Sequence, residues 1–307
     1  MIKNIFKKVR EIPTFIKEHD LEELLFIKRF GIPEKKAKFL HLRKNNFIDL
    51  PAPIFFLSTG RCGTNWFVHL LKTVKGLRVF HEPKPNLGIQ GVMIYDYFIN
   101  NNYTLDERTK DIFKEIIYIA REQYFRYSYK TNNRYVETNN QITFFAQILA
   151  EMFPQAKFIH IYRHPGEFVR SALRRNFYSN DNVDDMKRIK PIQAALYFDK
   201  WKDFSPLEKA SWLWNETNSF IERFKNSVGK TRCYSFNFSN ISVDEIVPLL
   251  DFVDVQIPRK KIAKKISKRI NVQIKKKFPL YNDWKDSDKI LLKKHCNDLA
   301  SKYGYKL

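Results

Sequence analysis

The chain has 307 residues, 44% hydrophobic and 15% aromatic against 29% charged, with only 9 Gly and 13 Pro. That is enough apolar surface for one large α/β core or two smaller ones, and it excludes collagen-like, low-complexity and disordered classes. The 55 Lys and Arg against 33 Asp and Glu leave a net charge of +22, which points to an anionic partner: nucleic acid, an anionic membrane surface, or a phosphorylated or sulfated small molecule.

Residues 1–50 read as a basic helical extension, with Ile2, Ile5, Phe6 and Val9 at helical spacing and Pro13 interrupting before a second basic stretch. An amphipathic helix capping the main domain and a peripheral membrane contact through residues 1–30 both fit that pattern. The pattern changes at Pro51. Residues 53–58 (PIFFLS) form a short apolar strand that breaks into TGRCGT before a helical stretch, WFVHLLKTV. A second strand is expected at residues 77–82 (LRVFHE), as when a parallel sheet grows by crossovers. Thr104 and Glu107 have the spacing of a capping box for a helix whose buried stripe would be Ile112, Phe113, Ile116, Ile117 and Ala120. A strand at 134–137 leads to a helix over 141–153, and residues 156–162 (AKFIHIY) are the most strand-like segment of the chain. The next helix starts at Pro165, a residue suited to a first turn. Residues 177–205 are polar, aromatic and weakly periodic, the profile of a mobile loop or lid. A helix over 207–224, a strand over 232–238, a capped helix opened by Ser242 and Glu245, and a final helix stopping at Gly304 complete the series. Lys260, Lys261, Lys264, Lys265, Lys268 and Arg269 fall at helical spacing and read as a solvated face. With no repeat or linker, the expected organisation is an α/β domain over 51–307, a central parallel sheet flanked by helices, preceded by the extension.

No run approaches the ~20 apolar residues of a bilayer span, and the N-terminus lacks the pattern of a cleaved signal. Cys62, Cys233 and Cys296 are odd in number and far apart, so neither a disulfide framework nor a cysteine zinc site is expected. No metal is implied, because no His, Cys or carboxylate cluster has ligand spacing. The expected setting is cytoplasmic, or peripheral to the inner face of the membrane.

The chemistry concentrates in STGRCGTNW, residues 58–66, where a strand hands the chain to a helix N-terminus. Gly60 and Gly63 let main-chain amides converge, the helix dipole favours an anion, Ser58 and Thr64 add hydroxyls, and Arg61 adds a planar charged fork. Spacing excludes three familiar alternatives. A Walker A loop needs four residues between its glycines and then Gly-Lys-Ser/Thr, whereas only Arg61 and Cys62 intervene here. The dinucleotide fingerprint GxGxxG is absent. A cysteine phosphatase would place an arginine where Val68 stands, so Cys62 reads as a small loop residue.

These residues resemble the first motif of the sulfotransferases that use 3′-phosphoadenosine 5′-phosphosulfate, with Cys62 for the usual serine and Thr64-Asn65-Trp66 similar to the Thr-Thr-Trp of cytosolic members. Tyr162-Arg163-His164-Pro165 through Ser171 resembles their second motif. The resemblance covers residues 51–307, with fainter echoes at 234–240, 271–284 and Gly304-Tyr305. It implies a P-loop-like sulfotransferase fold of the bacterial or carbohydrate type. It implies a donor whose 5′ end sits on Arg61, Cys62, Gly63, Thr64, Asn65 and Trp66, and whose 3′-phosphate sits on Arg163 and Ser171. Lys275 and Lys277 resemble a late donor-binding segment, and solvated lysines fit them as well.

In the same resemblance Arg61 stands where cytosolic members carry a lysine, and suits the bridging oxygen, although an arginine does not give up a proton. Glu82, in FHEP, resembles the Glu-Pro after the second strand of carbohydrate and tyrosine sulfotransferases and is the expected base for the acceptor hydroxyl. His81 is the rival, and strand alternation lets only one of the two face the site. Glu137, Thr138 and Asn139 either orient substrate or loop, or provide a helix N-cap. The implied reaction is sulfuryl transfer to a hydroxyl of a glycan or glycolipid, with adenosine 3′,5′-bisphosphate released and no nucleic acid involved. The alternative from another class is a non-catalytic binder of nucleic acid or acidic polysaccharide through the basic surface. A nucleotide kinase on a related loop is disfavoured by the missing loop lysine.

Overall fold

Ile54–Leu57 is apolar at every position, and all four side chains are fully buried, as a strand covered on both faces of a parallel sheet requires. In the computed structural model, which describes residues 51–179, 182–193, 195–267 and 279–307, this segment is the central strand. The strands are β1 (Ile54–Leu57), β2 (Leu77–His81), β3 (Arg134–Thr138), β4 (Lys157–Tyr162) and β5 (Cys233–Asn237). They form one sheet in the order β2-β3-β1-β4-β5, each pair parallel. The basic extension 1–50, with the membrane-contact reading of residues 1–30, lies outside the described residues, as do Lys268, Arg269, Lys275 and Lys277.

Helices α1 (Thr64–Leu71), α2 (Gly88–Asn100), α3 (Glu107–Lys130), α4 (Ala146–Met152), α5 (Pro165–Leu173), α6 (Pro206–Val228), α7 (Val243–Phe252), α8 (Arg259–Ile266) and α9 (Asp286–Lys302) flank the sheet. One aromatic layer gathers Phe158, Tyr135 and Phe153 around Phe55, with ring centroids 5.7 to 5.9 Å from it. On the other face Phe67 of α1 meets Phe56 at 5.4 Å and Phe236 at 5.2 Å. The strand order switches direction at β1, whose C-terminal end lies between those of β3 and β4, so the loops after all three open into one crevice, where open parallel sheets bind ligands.

The structure departs from the expected elements in four places. The helix expected from Thr104 starts at Glu107 instead, and Asp106 is its cap, accepting the Thr109 N–H at 3.0 Å. Within its expected stripe Ile112 is exposed at 51%, whereas Phe113, Ile117 and Ala120 are buried. The helix expected over 141–153 opens as a 3-10 turn, Asn140–Phe145, before α4. Helix α2 has no counterpart among the expected elements. The stretch 177–205, expected as a loose lid, is tied down: buried Tyr178 donates to Ile189 O at 2.7 Å, and the Trp201 ring lies 5.1 Å from that of Trp212.

Candidate functional site

The loop after β1 reverses direction through three left-handed residues, Gly60 at φ 75°, Arg61 at φ 56° and Gly63 at φ 94°. For Arg61 that conformation costs about 1 to 2 kcal/mol. The cost is held by the surroundings: Ser58 Oγ accepts the Gly60 N–H at 3.0 Å, and Thr143 Oγ1 both accepts from Ser58 N at 3.1 Å and donates to Ser58 O at 3.0 Å. A Cβ on Gly63 would stand 2.3 Å from the Phe238 ring, so the glycine also permits a close approach. The resulting curl aims main-chain N–H groups into the crevice. Those of Arg61, Gly63, Thr64 and Asn65 meet no acceptor among the described residues, and α1 has no side-chain cap. Unpaired amides at a helix start form an anion cradle.

Cys62 is the exception in this loop. Its thiol is fully buried, 3.0 Å from Thr59 Oγ1 and 3.1 Å from Gly60 O, and burial pushes its pKa up. It packs beneath the cradle and offers the crevice no side chain.

The crevice is a cleft of about 1730 Å³. Arg61, Gly63, Thr64, Asn65, Trp66, His81, Glu82, Arg163 and Ser171 all line it, so the two motifs face one cavity. Arg61 Nε donates to Ser171 Oγ at 3.1 Å, and Arg163 Nη1 donates to Arg61 O at 3.2 Å. Trp214 Nε1 on α6 holds Arg163 O at 3.1 Å. Arg163 Nη2 reaches Glu167 at 3.4 Å, while its Nε is buried with no partner. An arginine and a serine hydroxyl facing one cleft fit an anionic ligand. Helix α5 begins as expected, with Pro165 in its first turn and His164 Nδ1 accepting the Gly166 N–H at 3.1 Å; burial keeps that imidazole pKa below its ordinary value.

The end of the cleft near α8 is apolar, lined by Trp66, Phe238, Ile241 and Ile266. Trp66 is anchored there through Nε1 to Lys265 O at 3.4 Å, with its ring 6.3 Å from that of Phe238. Phe238 and Ser239 escaped the sequence reading apart from the faint echo at 234–240. Ser239 Oγ accepts the His164 N–H at 3.1 Å and touches Tyr305 Oη at 3.2 Å, joining the ends of β4 and β5 to the segment after α9.

At the β2 side the alternation argument fails. His81 and Glu82 both line the cleft, because Glu82 has already left the strand at φ 46° and no longer points opposite to its neighbour. The main chain there is still fastened, Glu82 N donating to Thr138 O at 3.2 Å. His81 Nδ1 lies 2.9 Å from Thr138 O and 3.0 Å from Thr138 Oγ1. A carbonyl can only accept, so that nitrogen carries the proton and Nε2 faces away as an acceptor. The Glu82 carboxylate has no hydrogen bond or ion pair among the described residues and attracts the Arg61 guanidinium electrostatically.

Glu137 and Asn139 lie beneath this turn as scaffolding. Arg121 and Glu137, each 1% exposed, pair through two bonds of 2.9 Å. Tyr135 Oη and Asn139 Nδ2 donate to the same carboxylate, and Arg121 Nη1 reaches Pro85 O at 2.6 Å. Asn139 Oδ1 also accepts Gln141 N at 3.0 Å, capping the 3-10 turn.

The remaining wall is basic. Arg170, Arg174, Arg175, Lys187 and Arg188 line the cleft alongside Arg61 and Arg163, against Glu82, Glu167 and Asp184. Burial lowers the Arg61 pKa, and the like charges of Arg175 and Arg174 add to that, while the guanidinium remains a cation. Within the run RSALRR the sequence reading singled out only Ser171, and assigned no role to Arg170, Arg174 or Arg175. Among the described residues there is no group of three or more His, Cys, Asp or Glu suited to a metal, and no helix long and apolar enough to cross a membrane.

Residues 53–242 match the sequence profile described as the sulfotransferase family. No curated protein matches the chain. Among solved structures, sulfotransferase STF9 from Mycobacterium avium superposes with a TM-score of 0.51 at 10% identity, covering 94% of this chain and 82% of that one. The sulfotransferase domain from the curacin biosynthetic pathway gives 0.48 at 14% identity, covering 84% and 99%. Mouse sulfotransferase SULT7A1 complexed with PAP gives 0.45 at 12%, covering 87% and 93%.

Proposed function

We propose, for a chain that belongs to the sulfotransferase family, that it moves a sulfuryl group from 3′-phosphoadenosine 5′-phosphosulfate to an acceptor hydroxyl and releases adenosine 3′,5′-bisphosphate. The observation that carries this reading is the meeting of two sets of anion-binding groups in one cleft: the open amides of Arg61, Gly63, Thr64 and Asn65, and the side chains of Arg163 and Ser171. A nucleotide charged at both ends needs two such places, with a flat apolar wall between or beside them for its base. Trp66 and Phe238 supply that wall.

The donor brings the activated sulfur; the protein supplies position and charge. The loop amides and Arg61 stabilise negative charge at the oxygen that leaves sulfur. Glu82, unpaired and facing the cleft, accepts the proton of the attacking hydroxyl as the new O–S bond forms and the S–O bond to phosphate breaks. His81, held through Nδ1 by Thr138, keeps Nε2 available as a second acceptor at the same wall. The resemblance favours a glycan or glycolipid hydroxyl as acceptor. Isothermal titration with adenosine 3′,5′-bisphosphate tests the donor site. Binding is expected in the wild type and is expected to fall about 10- to 100-fold in Arg163→Ala, the loss of one or two charge-assisted hydrogen bonds. No binding to the wild-type protein removes the reading.

A further inference from the structure

The donor's anionic ends do not use all the positive charge in the cleft. Arg61 and Arg163 belong to the two cradles. Arg170 pairs with Glu167 at 3.5 Å and Lys187 with Asp184 at 2.8 Å, and Arg188 pairs with Asp185. Arg174 and Arg175 remain. Neither has a carboxylate within ion-pair distance among the described residues, although both line the cleft.

They lie past Arg163 along α5 and one helical turn from Ser171. They follow the last turn of α5, three and four residues beyond Ser171, with Arg174 N on Arg170 O at 3.3 Å and Arg175 N on Ala172 O at 2.9 Å. From Pro165 to Arg174 the helix rise is about 13 Å, so Arg163 stands at one end of α5 and these two at the other. The Arg61 guanidinium feels Arg174, Arg175 and Glu82 together. The pair and Glu82 line the one cleft in which an acceptor hydroxyl would meet that carboxylate.

Among the described residues no carboxylate balances this crowding. A helix C-terminus favours one cation by a few tenths of a kcal/mol to about 1 kcal/mol. Here burial and the like charges of Arg170 and Arg175 pull the Arg174 pKa down, and Arg175 does the same to Arg61. Unneutralised guanidinium groups kept together at a cleft wall are relieved by an anion that takes both forks.

We propose that Arg174 and Arg175 form an anion subsite for the acceptor, so that the molecule sulfated by this protein carries a phosphate or carboxylate near the reacting hydroxyl. This rests on the sulfuryl-transfer reading above and specifies the substrate class of the same site. Phe177 also lines the cleft and holds the Arg188 guanidinium 3.7 Å above its ring centroid, adding a further cation to the same wall.

Two measurements test it, both on the full-length protein. In the first, inorganic phosphate is titrated calorimetrically into protein saturated with adenosine 3′,5′-bisphosphate. Binding is expected in the wild type, and weakening of about tenfold or more in the double variant Arg174→Gln/Arg175→Gln, with bisphosphate affinity held within about threefold. In the second, radiolabelled donor is offered with methyl glucoside, glucuronate and glucose 6-phosphate, which share a hydroxylated ring and differ in charge. The wild type is expected to favour at least one anionic ring over the neutral one by about tenfold in kcat/KM, and the double variant to lose that preference; which anionic ring wins distinguishes carboxylate from phosphate. Absence of phosphate binding to the loaded wild type overturns the proposal, as does an anion preference that survives the double substitution or a neutral ring used as well as both anionic ones. A large fall in bisphosphate affinity in the double variant assigns the arginines to the donor and overturns it too. If the bisphosphate itself fails to bind wild type, the donor reading has failed first.

Discussion

Removing the carboxylate of Glu137 tests how the Glu82 turn is held. The Arg121 guanidinium is buried with bonds to both oxygens of Glu137 and to the carbonyls of Pro85 and Ala120, so Glu137→Leu leaves a charge in the core with only two carbonyls for company. Breaking such a pair costs about 3 to 5 kcal/mol, whereas replacing both partners by apolar residues of similar volume is often neutral. At about 2 to 4 °C per kcal/mol for a domain of this size, Glu137→Leu should melt roughly 6 to 20 °C below wild type, and Glu137→Leu/Arg121→Met should recover part of the loss, since Tyr135 Oη and Asn139 Nδ2 lose their acceptor in both variants. Because Arg121 grips Pro85, three residues past Glu82, the single variant should also lose sulfuryl-transfer rate while keeping its affinity for adenosine 3′,5′-bisphosphate, whose cradles lie on other loops. Calorimetric melting and titration of the single and double variants read these quantities. A single variant that melts within about 2 °C of wild type, or a double variant no better than the single, would refute the buried-pair account.

Glu82→Gln should lower kcat by about 10²- to 10⁴-fold with little change in bisphosphate affinity; an unchanged transfer rate removes Glu82 as the base. Gly63→Ala should abolish bisphosphate binding and destabilise the fold, since its Cβ would meet the Phe238 ring at 2.3 Å on a residue at φ 94°; circular-dichroism melting and calorimetry report both effects. His160 is fully buried, and burial lowers its pKa from 6.5 to about 4 despite the bond of Nε2 to Asn218 Oδ1. The unfolded chain therefore takes up a proton that the folded one refuses, so this contribution is complete above pH 6.5 and is lost as pH falls from 6.5 towards 4. The loss amounts to about 3 kcal/mol from this residue. Urea titrations across that window should show the slope, and a flat profile contradicts it. Glu222, lowered to about 2 by Lys225 and Lys302 against its own burial, adds a second loss of stability as pH falls from 4.5 towards 2.

The parts of the molecule that were readable before folding are those whose physics is local. Strand β1 shows as an unbroken apolar run and β4 as a strand rich in aromatic and branched residues because the sheet buries both of their faces, and the loop between β1 and α1 shows because only glycines turn that way cheaply. The cleft between the two motifs required three dimensions, but its cradles carried their own signatures. Other features depend on distant neighbours. Helix α2 starts after Leu87, itself left-handed, without a side-chain cap, and two of its early residues are Gly88 and Gly91; nothing in that composition announces a helix. The cap at Asp106 stands two residues from the expected Thr104. Alternation along β2 gave way at Glu82 because the strand ends one residue earlier than the apolar pattern indicated. The Arg121–Glu137 pair joins residues sixteen positions apart, and the isolation of Arg174 and Arg175 is a property of what surrounds them, which no local pattern records.

The placement of Trp66 has a practical consequence. Its indole borders the cleft, 6% exposed, whereas Trp201, Trp212, Trp214 and Trp284 do not line it. A nucleotide base settling against that ring would alter its emission, giving an unlabelled optical signal of occupancy, and Trp66→Phe is the matched blank.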